Sequence, residues 1–168
     1  MAWFARRERP PAQLRALLTG DERIVSWADT EGGAVVAATQ FGLWWPDGDG
    51  HRLIRWQYVD KAVWRDGVLT VIEGEVVDDT LLVDRAPVAV RLAVPRDLPP
   101  TVRKRVEANI VERELATVPG GAVRFVARRR PGHDGLVWWA HLEPGTPDSP
   151  GVRRAIAARL AILRARPG

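Results

Sequence analysis

Residues 34–72, AVVAATQFGLWWPDGDGHRLIRWQYVDKAVWRDGVLTVI, decide the fold class. Their side chains alternate in character, the period of a strand and not of a helix. From Ala34 to Trp45 the odd positions Val35, Ala37, Phe41, Leu43 and Trp45 fall on one face. The even positions Val36, Ala38, Gln40, Gly42 and Trp44 fall on the other. Pro46 offers no donor to a ladder and closes that strand. Asp47-Gly48-Asp49-Gly50 tolerates positive φ, so the chain reverses there and His51–Trp56 runs back. Lys61–Asp66 and Val68–Ile72 form another pair about the turn Asp66-Gly67. The stretch is a meander, and it holds four of the eight tryptophans.

Outward from it, Ile24–Asp29 precedes the meander as a strand. After Gly74–Asp79, an acidic loop or a strand interrupted by one, Thr80–Asp84 and Val88–Val94 bring the strand count to seven. Thr101–Leu115 then reads as an amphipathic helix, with Val102, Val106, Ile110, Val111 and Leu115 along one stripe. Pro10–Gly20 reads as a short helix that buries Leu14, Leu17 and Leu18. Past Pro119-Gly120-Gly121, Ala122–Arg130 and Leu136–Glu143 form a hairpin. Ser149-Pro150 opens a last helix with Val152, Ile156, Leu160 and Leu163 on one face. The organisation expected is a lead-in over 1–20, a main domain over 21–116, and a hairpin-plus-helix extension over 117–168.

The 168 residues suffice for a core without covalent staples, and no cysteine is present for a disulfide, a thiolate zinc site or a thiol nucleophile. No apolar run reaches the length of a membrane span, and MAWFARRERPP lacks the apolar centre of a secretion signal, so a cytoplasmic protein is expected. The net charge of +4 is uneven: 21–98 carry eight basic and fourteen acidic side chains, 99–168 thirteen and six. A basic last third suits nucleic acid or an anionic surface. Only Lys61 and Lys104 are lysines among the 25 basic residues, and a codon bias that raises arginine everywhere accounts for that equally well.

GDERIVSWA, AATQFGLWWP, HRLIRWQYVDKAVW and DGVLTV, in that order over residues 20–116, resemble the bacterial pleckstrin-homology-like (PH-like) proteins, in particular small ones of actinobacteria. The resemblance implies an α+β fold: an antiparallel seven-stranded PH-like barrel capped by an amphipathic helix, here followed by a C-terminal β-hairpin and helix. It implies a module that binds a protein, a peptide or a lipid headgroup and that is not an enzyme. The loop that would receive a phosphoinositide, Asp29–Gly33, carries two acids and no base, which disfavours that ligand.

Candidate chemistry is sparse. Asp47-x-Asp49-Gly50 lacks the later ligands of a calcium loop, with Tyr58 where the closing Glu belongs. His51, His133 and His141 are too scattered for a metal, and neither Ser26 nor Ser149 sits in a nucleophile elbow. The acids Glu73, Glu75, Asp78 and Asp79 read as a solvated rim. No cofactor fingerprint is present. Two features remain. In Trp44-Trp45 and Trp138-Trp139 each pair must send one indole to each face, so Trp44 or Trp139 is either covered by the chain, for instance by the last helix, or offered to a partner. Arg128-Arg129-Arg130, with Trp139 across the hairpin, is the sharpest basic cluster, either a phosphate patch or a solvated face on an edge strand. A non-enzymatic module for a protein or peptide partner is the first expectation. A binder of nucleic acid or an anionic surface is the second, and an enzyme with an unrecognised site the third.

Overall fold

Asp66 and Gly67 both adopt positive φ, 50° and 76°, so β5 (Val59–Arg65) folds tightly back on β6 (Val68–Val76), as the Asp-Gly pair predicts. Around this hairpin the computed structural model, which describes residues 8–167, builds an α+β fold of eleven strands and three helices. The strands β1 (Ile24–Thr30), β2 (Val35–Thr39), β3 (Gly42–Asp47) and β4 (Gly50–Arg55) form an antiparallel meander. A 3-10 turn at Trp56–Tyr58 leads into β5. The strands β7 (Leu81–Asp84) and β8 (Val88–Val94) then pair in succession along β6. β8 also meets β1 at Asp29↔Val94 and Thr30↔Leu92.

After α2 (Leu98–Asn109) come β9 (Ile110–Val118), β10 (Gly121–Arg129), β11 (Leu136–Leu142) and α3 (Pro150–Arg164). The strand order is β4-β3-β2-β1-β8-β6-β7-β11-β10-β9, with β5 on β6 off that path. All pairs are antiparallel except β7 with β11, where Leu81 lies opposite Ala140 and Leu82 opposite His141. The expected seven-stranded barrel is therefore corrected. Eight strands precede α2, three follow it, and the sheet does not close.

Two local events account for the difference. The stretch Ala34–Trp45 is two strands, because the chain turns at Gln40–Phe41, where Thr39 Oγ1 accepts the Phe41 N–H at 3.1 Å. The turn pairs Ala38 with Leu43 and inverts the parity. Val36 and Ala38 share the main core with Leu43 and Trp45, while Val35 and Ala37 face the other way with Trp44. Gly42 is needed at this hairpin because a Cβ there would lie 2.2 Å from the Ile54 carbonyl oxygen of β4. Gly42→Ala is expected to lower stability by about 1–3 kcal/mol, as overpacking against backbone does, and a urea midpoint measures it.

The second event is at Ile110. The helical stripe expected through Leu115 ends at Asn109, and Ile110–Val118 joins β10 over eight paired positions. A ladder of eight pairs outweighs a weak helical preference. Val111 is consequently exposed and Leu115 is 67 % exposed. At the N-terminal side the expected Pro10–Gly20 helix is a single turn, α1 (Ala12–Arg15), which buries Leu14 against Trp27, Val35 and Ala37.

Side chains from β1–β6 and β8 converge on one core, which Leu98, Val102 and Val106 of α2 complete, so this part of the sheet curls around the helix. The second core lies between β10–β11 and α3. Val123, Phe125, Ala127, Trp138 and Ala140 meet Val152, Ile156, Leu160 and Leu163, the residues that the strand and helix periods pick out. Ser149 caps α3, its Oγ accepting the Val152 N–H at 3.2 Å. No described helix is long and apolar enough to cross a membrane.

Candidate functional site

Because Ile110–Val118 is a strand, β10 is central, flanked by β9 and β11. Its second face, with Arg124, Val126 and Arg128, cannot be the solvated edge that the arginine run suggested. It meets the start of β5. The Arg128 side chain is 1 % exposed; its Nη1 donates to the Val59 carbonyl at 2.6 Å and its Nη2 to Asp60 Oδ1 at 3.2 Å. Arg124 donates to the same Asp60 at 3.1 Å and to Glu143 at 3.0 Å. Two guanidinium groups thus share one carboxylate. Burial, the largest influence, pulls Arg128 down to about 10; Asp60 resists this, and Arg124 and Arg113 add repulsion. Arg124 is also penalised by burial, but Asp60 and Glu143 more than compensate and its pKa is raised.

His141 of β11 is 2 % exposed, and neither ring nitrogen has a hydrogen-bond partner. Its Nδ1 lies 3.7 Å from Asp84 Oδ1. The imidazole, followed by the more distant Arg124 and Arg128, holds the Asp84 carboxyl below its usual range against the opposing effect of burial. Asp60, Asp84 and His141 place three ligand-type atoms within 4.8 Å of one another. A divalent ion there would face Arg124 and Arg128, which already occupy the Asp60 oxygens. Asp60 with Arg124 and Arg128 has the chemistry of a structural ion network that docks the hairpin onto β5.

Beside this network Arg128, Arg129, Arg130 and Trp139 line one small pocket of about 130 Å³ with Gln57, Tyr58 and Val137. Tyr58 and Trp139 stand edge to face, centroids 6.5 Å apart. Four of the five binding residues expected from sequence therefore share a site. Trp44 does not join them: it is half-buried near α1, its Nε1 donating to Glu22 Oε1 at 2.9 Å. The last helix covers Trp138, while Trp139 faces the other way, towards Tyr58. His133 is exposed in its turn.

A second, larger feature escaped the sequence reading. Between β5 and the start of α2 runs a groove of about 490 Å³ whose lining includes Ala62, Val63, Trp64, Pro99, Pro100 and Val102. Ala62 faces the core, and alternation places Trp64 on that same face. Yet Trp64 is 41 % exposed, because the open sheet leaves it uncovered by the described residues. β5 pairs with β6 alone, so beyond Asp60 its other edge has no strand beside it among the described residues. The signals in the sequence are an indole at the end of a strand and the prolines at 95, 99 and 100.

No family model, curated protein or solved structure matches this chain.

Proposed function

We propose that this protein is a non-enzymatic interaction module of PH-like type that binds an extended segment of a partner protein along β5. The PH-like reading is supported by an antiparallel sheet curled around one helix that follows it, with core residues from both. The observation that carries the binding mode is Trp64, an inward-facing indole left 41 % exposed above a groove of mixed lining and beside a strand edge unpaired among the described residues. A strand edge supplies backbone hydrogen bonds to an extended peptide, and a neighbouring pocket supplies side-chain selectivity. Val63, Pro99 and Pro100 line the groove beside Trp64, and Arg103, the cation at its α2 side, is already paired with Glu107, which favours a segment with an apolar residue at the indole. Trp64 is the anchor of the site, as buried aromatics are at interfaces.

The experiment is selection of peptides from a random display library on the intact protein. Selected peptides are expected to shift the backbone amides of Lys61–Arg65. They are expected to bind Trp64→Glu weaker by about tenfold or more, an ordinary loss for an anchor residue. Peptides that bind Trp64→Glu as well as the parent would remove the groove from the reading.

A further inference from the structure

The pocket between Tyr58 and Trp139 presents three arginines and no acid. Arg129 and Arg130 are exposed at its rim, and neither has a carboxylate within ion-pair distance among the described residues. Arg153, Arg159 and Arg166, on or just beyond α3, are by contrast all paired. Arg128 forms the wall from within. It is buried, and among the described residues it shares its one contacting carboxylate with Arg124 and its Nε has no hydrogen-bond partner. A buried cation that is only half neutralised and keeps a free donor is a costly arrangement unless an anion completes it. The charge around the pocket suits a dianion better than a monoanion, since guanidinium groups bind tetrahedral oxyanions through several charge-assisted hydrogen bonds.

Size restricts the ligand further. About 130 Å³ is well below the ~300–1,000 Å³ of pockets that enclose a whole small molecule. It holds one headgroup and the atoms that carry it. The aromatic pair Tyr58–Trp139 gives those atoms an apolar wall. We propose that this pocket is a binding site for a terminal phosphate monoester, the phosphate held by the exposed Arg129 and Arg130 above the buried charge of Arg128 and the group that bears it lying against Trp139. A phosphodiester backbone has only one charge per phosphate and no free end to insert, so nucleic acid fits the concavity poorly. This site shares no residue with the groove at Trp64, and its failure leaves the strand-addition reading untouched.

The test is nuclear magnetic resonance of the full chain with phenyl phosphate, inorganic phosphate and a single-stranded oligodeoxynucleotide without terminal phosphates as separate probes. Phenyl phosphate is expected to shift the Arg128 Nε–H and Trp139 Nε1–H signals. Inorganic phosphate is expected to shift Arg128 alone and to bind more weakly. The variant R129S/R130S is expected to weaken phenyl phosphate by about tenfold, the loss of one or two charge-assisted hydrogen bonds. Arg154→Ser, on the exposed side of α3, is expected to change nothing. The proposal is overturned if phenyl phosphate leaves Arg128 and Trp139 unmoved, if R129S/R130S binds it like the parent, or if the oligonucleotide binds these residues more tightly than phenyl phosphate.

Discussion

Asp60→Ala is expected to destabilise the protein by about 3–5 kcal/mol, the range for removing one member of a buried ion pair. Among the described residues Asp60 is the only carboxylate in ion-pair contact with Arg128 and one of two on Arg124. Without it, Arg128 keeps a carbonyl of Val59 and a charge that water cannot reach. Exposed pairs such as Arg65–Asp66 and Arg103–Glu107 stay solvated when broken and contribute little. Asp60→Asn keeps an acceptor and loses the charge, so a smaller loss is expected. The double variant D60A/R128M removes the stranded cation as well and is expected to recover much of the loss. Urea unfolding of the four proteins decides the matter. A loss under 1 kcal/mol for Asp60→Ala, or no recovery in the double variant, would show that the network does not hold the hairpin to β5.

The residues that misled the sequence reading are the ones whose neighbours are distant in the chain. Alternation along Ala34–Trp45 looked continuous because Val35, Ala37, Leu43 and Trp45 are apolar. A turn at Gln40–Phe41 inverts the parity without disturbing composition, since the even residues other than Gln40 are also small or apolar and both faces of β2 are buried. Val106, Ile110 and Leu115 fit a helical stripe. What makes Ile110 extended is the ladder with Arg128 and its neighbours, which no window of local sequence contains. The same ladder buries Arg128, so one missed strand turned a buried ion into an expected surface charge. The α3 face and the inward residues of β10 and β11 were legible because each packs on its sequence neighbour across a short loop. Trp64 was not, because its exposure follows from the sheet staying open, a property of the whole fold.

Trp56→Ala is expected to lower stability by about 3–5 kcal/mol, the upper range for truncating a buried aromatic. The indole is 2 % exposed and lies in the core with Leu43, Ile54, Leu69 and Val102. Its Nε1 donates to the Thr39 carbonyl at 2.9 Å, and its backbone N–H to the Phe41 carbonyl at 3.2 Å, so it clamps the hairpin of β2 and β3 to the turn before β5. Trp56→Phe fills most of the volume but drops the Nε1 bond, and about 1–3 kcal/mol is expected for it. The gap between the two variants measures packing separately from the hydrogen bond. Tyr58 and Asp60 follow Trp56 closely in the chain, so a cavity at Trp56 also loosens the base on which the arginines of β10 rest. A single transition seen alike by tryptophan fluorescence and far-ultraviolet dichroism is therefore expected for Trp56→Ala, shifted to lower urea. Two separated transitions would mean that the core beneath α3 survives on its own, and that the ion network at Asp60 joins two independently stable halves instead of one cooperative fold.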